Sequence, residues 1–281
     1  MHEWPLVIFT LLMQLAIGCV LTAWYCQSFA LRELDGSQRL SVVRPALLCA
    51  LAVGGIGLLA SMAHLGNPMH ALYTLNHVAS SWMSREILFT ALFMGLLFLT
   101  VVVMLMKKTL PAPLVALTAL VGLADIFVMS AIYDNSRFIL WQGWGTYAGF
   151  YGSALMMGSL LAVVCMQSSL RKCTDDGGAS LMSPLFQLYI LGFLLASLAI
   201  VAMLATSAPN LAVGISVRTA AANVGALTLG RCVLLIGALL MLVNGVVKKR
   251  QALPCSMLAL ALVVTIAAEL LGRYAFFSLG G

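Results

Sequence analysis

The segment "HLGNPMHALYTLNHVASSWMSRE", residues 64–86, carries His64, His70 and His77, ends in Glu86, and lies between two strongly apolar runs. Histidine titrates near neutral pH, and a carboxyl partly withdrawn from water can hold a proton there too. Ionisable groups at membrane depth are functional candidates by default. A His and a Glu at one membrane edge suit the oxidation of a quinol. That reaction releases two protons with two electrons and needs an acceptor at each hydroxyl or a relay. Consecutive spans are antiparallel and usually adjacent, so His64 at the end of one run and Glu86 at the start of the next lie at one depth. Each residue also has a plainer reading. His64 can bond a helix-end carbonyl, and Glu86 can sit in a first helical turn, favoured by the dipole and accompanied by capping from Ser84.

Other residues offer less. A b-type haem wants two axial ligands facing each other inside a bundle. His2, His64, His70 and His77 all fall at one edge, so no haem is expected. The seven cysteines (Cys19, Cys26, Cys49, Cys165, Cys173, Cys232 and Cys255) contain no C-x-x-C pair. They read as small hydrophobes, and no metal is expected on this chain. Asp125 lies near the middle of an apolar run with no basic partner in view. Arg231 sits about six residues inside another run and is expected to snorkel outward. Glu269 and Arg273, spaced i, i+4, are expected to pair on one helix face.

The elements that must position these groups are membrane spans. Of 281 residues, 62% are hydrophobic and 9% charged, with mean hydropathy +1.06; a soluble domain carries about 25% charged residues. Eight apolar runs stand out, at about 5–30, 45–65, 86–106, 114–133, 146–169, 184–206, 225–247 and 255–277. Each is long enough for a spanning helix, whereas barrel strands show a weaker alternating pattern. The expected fold class is all-α and integral to the membrane: eight transmembrane helices forming one domain over 1–281. The pattern allows a subdivision into two four-helix halves, about 1–135 and 136–281. The opening "MHEWPLVIFTLLMQ" lacks a basic n-region and reads as a first span rather than a signal peptide.

Charge sets the orientation. Connectors after the odd-numbered runs hold Arg32, Arg39, Arg44, Lys107, Lys108, Arg171, Lys172, Lys248, Lys249 and Arg250, against Arg85, Arg137, Arg218 and Arg273 on the other side. The excess marks the first set as cytoplasmic. Both termini then lie outside, which in a bacterial cell is the periplasm. The net charge of +6 does not indicate nucleic acid, because the basic residues form short clusters between spans. Trp82, Trp141, Trp144 and Tyr147 fit an aromatic belt. The outer connectors, longer and less charged, resemble a docking surface.

Four stretches, "HEWPLVIFT" at 2–10, "ASMAHLGNPMHALYTLN" at 60–76, "SREI" at 84–87 and "ELLGRYAFF" at 269–277, resemble the membrane anchor subunit family of dimethyl sulfoxide reductase. The resemblance covers essentially the whole chain. It implies an anchor that binds menaquinol near the outer face and carries no haem. Electrons would pass to an iron–sulfur subunit and on to a molybdopterin catalytic subunit. The family's functional histidine matches His64, and its functional acid matches Glu86. His70 and His77 stand where the family leads one to expect Arg, and Arg85 replaces a neutral polar residue. These departures suggest a paralogue whose partner or final acceptor differs.

The expectation is therefore a membrane anchor and menaquinol-oxidising subunit of a periplasm-facing molybdoenzyme complex, serving anaerobic respiration from the bacterial inner membrane. It holds the quinol oxidation site, with His64 and Glu86 both catalytic and menaquinol-binding, but not the terminal reductase site. Iron–sulfur and molybdopterin subunits are expected on its periplasmic face. One rival is a secondary transporter, although transporters gather polar groups at the midplane and here they crowd one edge. Another is a structural anchor without a quinol site.

Overall fold

A computed structural model describes residues 4–64, 75–138, 141–174, 178–210, 215–249 and 252–278; for residues 63–64, 75, 206–210, 215–223 and 245–249 it describes the backbone alone. Among the described residues, eight helices are long and apolar enough to cross a membrane. They are α1 (Trp4–Tyr25, prolonged by a π-helical turn over Cys26–Ala30), α2 (Gly36–His64), α3 (Trp82–Lys107), α4 (Ala112–Asp134), α5 (Trp144–Cys173), α6 (Met182–Asn210), α7 (Ile215–Lys249) and α8 (Cys255–Ser278). The chain is a multi-pass integral membrane protein, as its apolar runs predict.

Several helices start well before their apolar runs, because caps rather than hydropathy decide where a helix begins. Asp35 caps α2: its Oδ1 accepts from the N–H groups of Ser37 and Gln38 and from the Ser37 hydroxyl, each at 2.8 Å. The Gln38 N–H, then the Ser37 hydroxyl, hold the Asp35 carboxyl below the usual carboxylate range. Ser81 caps α3, accepting from the Ser84 N–H at 3.4 Å. Ser81 is thus the cap in place of Ser84, and Glu86 lies in the second turn of α3 instead of opening it. Lys108, in the left-handed region at φ 50°, ends α3, and α4 begins after Pro111 with Pro113 in its first turn.

Helices α1 and α5 form the centre. Their most apolar stretches are 78% and 72% buried, against 22% for those of α6 and α7. Small residues make this possible. Gly18 of α1 sits against Ala154 and Gly158 of α5, so closely that a Cβ on either glycine would overlap the other helix's backbone. On another face of α5, a Cβ at Gly152 would lie 2.8 Å from the backbone of both Gly192 and Ala196 of α6. Lipid tails are as apolar as leucine, so helices associate in a bilayer through this close packing rather than by escaping water. Helix α2 packs on α1, α3 pairs with α4, and α7 packs on α8. Leu191, Leu194 and Leu198 of α6 and Leu229, Val233 and Ile236 of α7 are exposed, as a lipid-facing surface requires.

Aromatic side chains close one end of the bundle. Trp141 packs inward. Its ring stacks on Phe276 at 5.3 Å, meets Tyr133 edge-on, and its indole N–H donates to the Phe276 carbonyl at 2.8 Å. Trp144, by contrast, is 58% exposed, as a belt residue should be. The Tyr147 hydroxyl donates to Asp134 at 3.0 Å, tying the start of α5 to the end of α4.

Candidate functional site

The ionisable groups inside the bundle gather at the end where α1, α3 and α5 begin and α4 and α8 finish. They form two clusters. The first lies between α3 and α4. Glu86 and Thr90 are one turn apart on α3 and therefore share a face. The Thr90 hydroxyl donates to Asp125 of α4, with oxygen separations of 2.9 and 3.2 Å. Asp125 is fully buried and Thr90 nearly so. Glu86 is half-buried, and its Oε1 is buried without a hydrogen-bond partner among the described residues. Glu86 and Asp125 both border Thr90, one a turn away along α3 and the other across the seam with α4. Asp125 thus has a polar partner and an acidic neighbour, neither of which a search for a base would find. The readable signal is a threonine four residues after Glu86.

His64 is the last residue of α2, and its side chain lies outside the described residues. His2 and His70 lie outside them altogether. The backbone places the end of α2 and the start of α3 at one end of the bundle, and the two helices pack together, Gly54 of α2 facing Met94 of α3. His77 ends a short 3₁₀ turn over Leu75–His77 and is exposed. Arg85 faces its own connector. It donates to the carbonyls of Val78 at 2.9 Å and Ala79 at 2.7 Å, and its guanidinium covers the Trp82 ring at 4.3 Å. It fastens the connector to α3.

The second cluster joins α1, α5, α7 and α8. Arg231 of α7 pairs with Glu269 of α8 across both carboxylate oxygens, at 3.0 Å to Oε2 and 3.1 Å to Oε1. The Ser153 hydroxyl of α5 donates to the same carboxylate. Arg273 donates to Gln14 Oε1 of α1 at 2.8 Å and lies over the Phe150 ring at 3.8 Å. Two expectations are corrected here. Glu269 pairs with Arg231 rather than with Arg273, and Arg231 turns into the bundle instead of snorkelling outward. Gly272 is the reason: a Cβ there would lie 2.6–2.8 Å from the Arg231 side chain. Without one, the guanidinium can lie against α8. Spacing along one helix could not reveal a pairing between two. Neither could it find Gln14 or Ser153, although a glutamine in the middle of an apolar run is a readable hint.

All seven cysteines are free. Among the described residues, no three His, Cys, Asp or Glu side chains converge as metal ligands would.

These features define a class: a multi-pass membrane protein built on two central helices, with its buried ionisable groups collected at one end. The chain belongs to the DMSO reductase anchor subunit family, whose model matches residues 1–279. It is 30% identical over 289 aligned positions to a subunit of the anaerobic dimethyl sulfoxide reductase of Escherichia coli (strain K12), a match spanning 99% of this protein and 95% of that one. It is 33% identical to the Haemophilus influenzae subunit of the same name, over 58% of each. To YnfH, another anaerobic dimethyl sulfoxide reductase subunit of Escherichia coli, it is 29% identical, over 60% of this protein and 59% of that one. No solved structure matches.

Proposed function

We propose that this protein anchors an iron–sulfur subunit and a molybdopterin catalytic subunit to the bacterial inner membrane and oxidises menaquinol for them. Its relatives are subunits of anaerobic dimethyl sulfoxide reductase, which supports the assembly. The observation that carries the chemistry is the Glu86–Thr90–Asp125 group at the start of α3, beside the end of α2 where the backbone delivers His64.

Menaquinol enters from the bilayer near the ends of α2 and α3. His64 accepts a hydrogen bond, then a proton, from one hydroxyl. Glu86, whose Oε1 has no partner among the described residues, accepts from the other or passes on the first proton. Asp125, held by Thr90, meets α3 one turn along from Glu86. Loss of two protons and two electrons converts quinol to quinone. The protons leave at the end where α3 begins, and the scarcity of Lys and Arg in the connectors there supports an outward release. The electrons pass to a cluster of the docked partner, so no metal centre is needed on this chain.

The test uses the purified complex with a menaquinol analogue and, separately, a soluble donor that bypasses the membrane subunit. His64→Arg and Glu86→Gln should each lower quinol-driven turnover by about 10²-fold or more, the scale of general acid–base catalysis. Bypass activity should persist. Unchanged quinol turnover in both assembled variants would sink the site, and a quinol analogue that left the signal of the partner's nearest cluster unchanged would favour a structural anchor. A protein that purified without metal-containing subunits and moved solute in vesicles would favour a transporter.

A further inference from the structure

The second cluster is not used by the quinol chemistry, and it lines a cleft. The cleft holds about 650 Å³ of empty space, part of it open to the surroundings, bounded by α5, α6, α7 and α8. Its polar lining is Gln142, Thr146, Ser153, Arg231, Glu269 and Arg273. Two arginines face one carboxylate there, with Arg231, Glu269 and Arg273 only 12%, 2% and 6% exposed. Glu269 is spent on Arg231. Among the described residues, Arg273 is met by the Gln14 carbonyl oxygen and two phenyl faces, none of which carries a full negative charge. A surplus buried cation at membrane depth is costly unless an anion joins it.

We propose that this cleft is a second ligand site, distinct from Glu86 and His64, which takes the phosphate-bearing head of an anionic membrane amphiphile. The arginine fork suits phosphate, offering parallel N–H donors that a point charge cannot. Gly145, Thr146 and Gly149 bring the first two turns of the 30-residue α5 to the cleft wall. That end of a helix carries the positive pole of its dipole, and the two glycines let Ala202 and Ala199 of α6 pack close beside it. Ala199, Ile200, Met203 and Phe276 supply an apolar wall for the glycerol and upper acyl region. Depth fits as well. Arg273 precedes the end of α8 by five residues, about 7 Å of helix rise, within reach of a phospholipid phosphate entering from the bilayer. A neutral quinol would leave the surplus charge where it is.

The experiment uses the full-length protein with its accompanying subunits, purified in a neutral detergent and stripped of lipid. It is titrated with phosphatidylglycerol, with diacylglycerol and with inorganic phosphate, and read by native mass spectrometry and thermal unfolding. Phosphatidylglycerol should bind and raise the melting temperature; the other two should not. Arg273→Gln should weaken phosphatidylglycerol binding about tenfold, the loss of a hydrogen bond to a charged group. Met203→Trp, which fills the cleft and leaves every charge in place, should weaken it at least as much. Retained quinol-driven turnover, which needs the membrane subunit, shows that each variant is folded. Equal binding by native protein and Met203→Trp would overturn the proposal. So would stabilisation by diacylglycerol or inorganic phosphate to the same degree, or displacement of the lipid by a menaquinol analogue.

Discussion

Thr90 is a small residue with a large electrostatic duty. It gives the fully buried Asp125 carboxyl a hydroxyl donor, and removing one partner from a buried polar pair costs the desolvation of the group left behind. Thr90→Val keeps the shape and deletes the donor. It should lower stability by about 1–3 kcal/mol, seen as an earlier thermal unfolding in detergent, and Thr90→Ser should restore most of it. An unchanged melting temperature would mean that Asp125 finds another partner. Glu86 differs: its Oε1 has no partner to lose among the described residues, so Glu86→Gln should spare stability while impairing quinol turnover. That separation is the mark of a residue kept for chemistry. The identities of His64, Glu86 and Asp125 were legible in the sequence, as charges out of place in apolar surroundings. The Thr90 contact was not, because it depends on how α3 and α4 are rotated against each other.

At the scale of elements, α5 is decided by its small residues. One face offers Ala154 and Gly158 to α1, another offers Gly152 to α6. A side chain at Gly158 must push two backbones apart, beyond the usual ~1–3 kcal/mol of core overpacking. Gly158→Val should therefore abolish the monodisperse peak in size-exclusion chromatography. Gly95, with nothing within 4 Å of an added Cβ, is the control. Gly95→Ala should leave the peak intact and stabilise α3 by about 0.5–1 kcal/mol through helix propensity. Helix number could be read from hydropathy, since any run that fills the hydrocarbon must be helical. Helix ends could not be read that way. Asp35 and Ser81 start α2 and α3 outside the apolar runs through hydrogen bonds that hydropathy does not register.

For the whole molecule, the asymmetric distribution of Lys and Arg predicts which way the bundle lies in the membrane. A C-terminal alkaline phosphatase fusion should be active and a C-terminal fluorescent protein fusion dark; the opposite pattern would invert the orientation and place proton release in the cytoplasm. What the sequence determined by itself is the solvent and the secondary structure: 62% hydrophobic residues and eight apolar runs leave a bilayer and helices as the consistent answer. It also marked the stretches near His64 and Glu86 that carry the family resemblance. Only the tertiary structure decided which charges meet. Arg231 reaches Glu269 from another helix, Arg273 turns to Gln14, and Thr90 holds Asp125. The physical reason is that a helix's period fixes which side chains share its face, while the partner across the interface is chosen by close contacts of glycine and alanine far along the sequence. Those contacts set the rotation and approach of each helix, and with them the pairing of every buried charge.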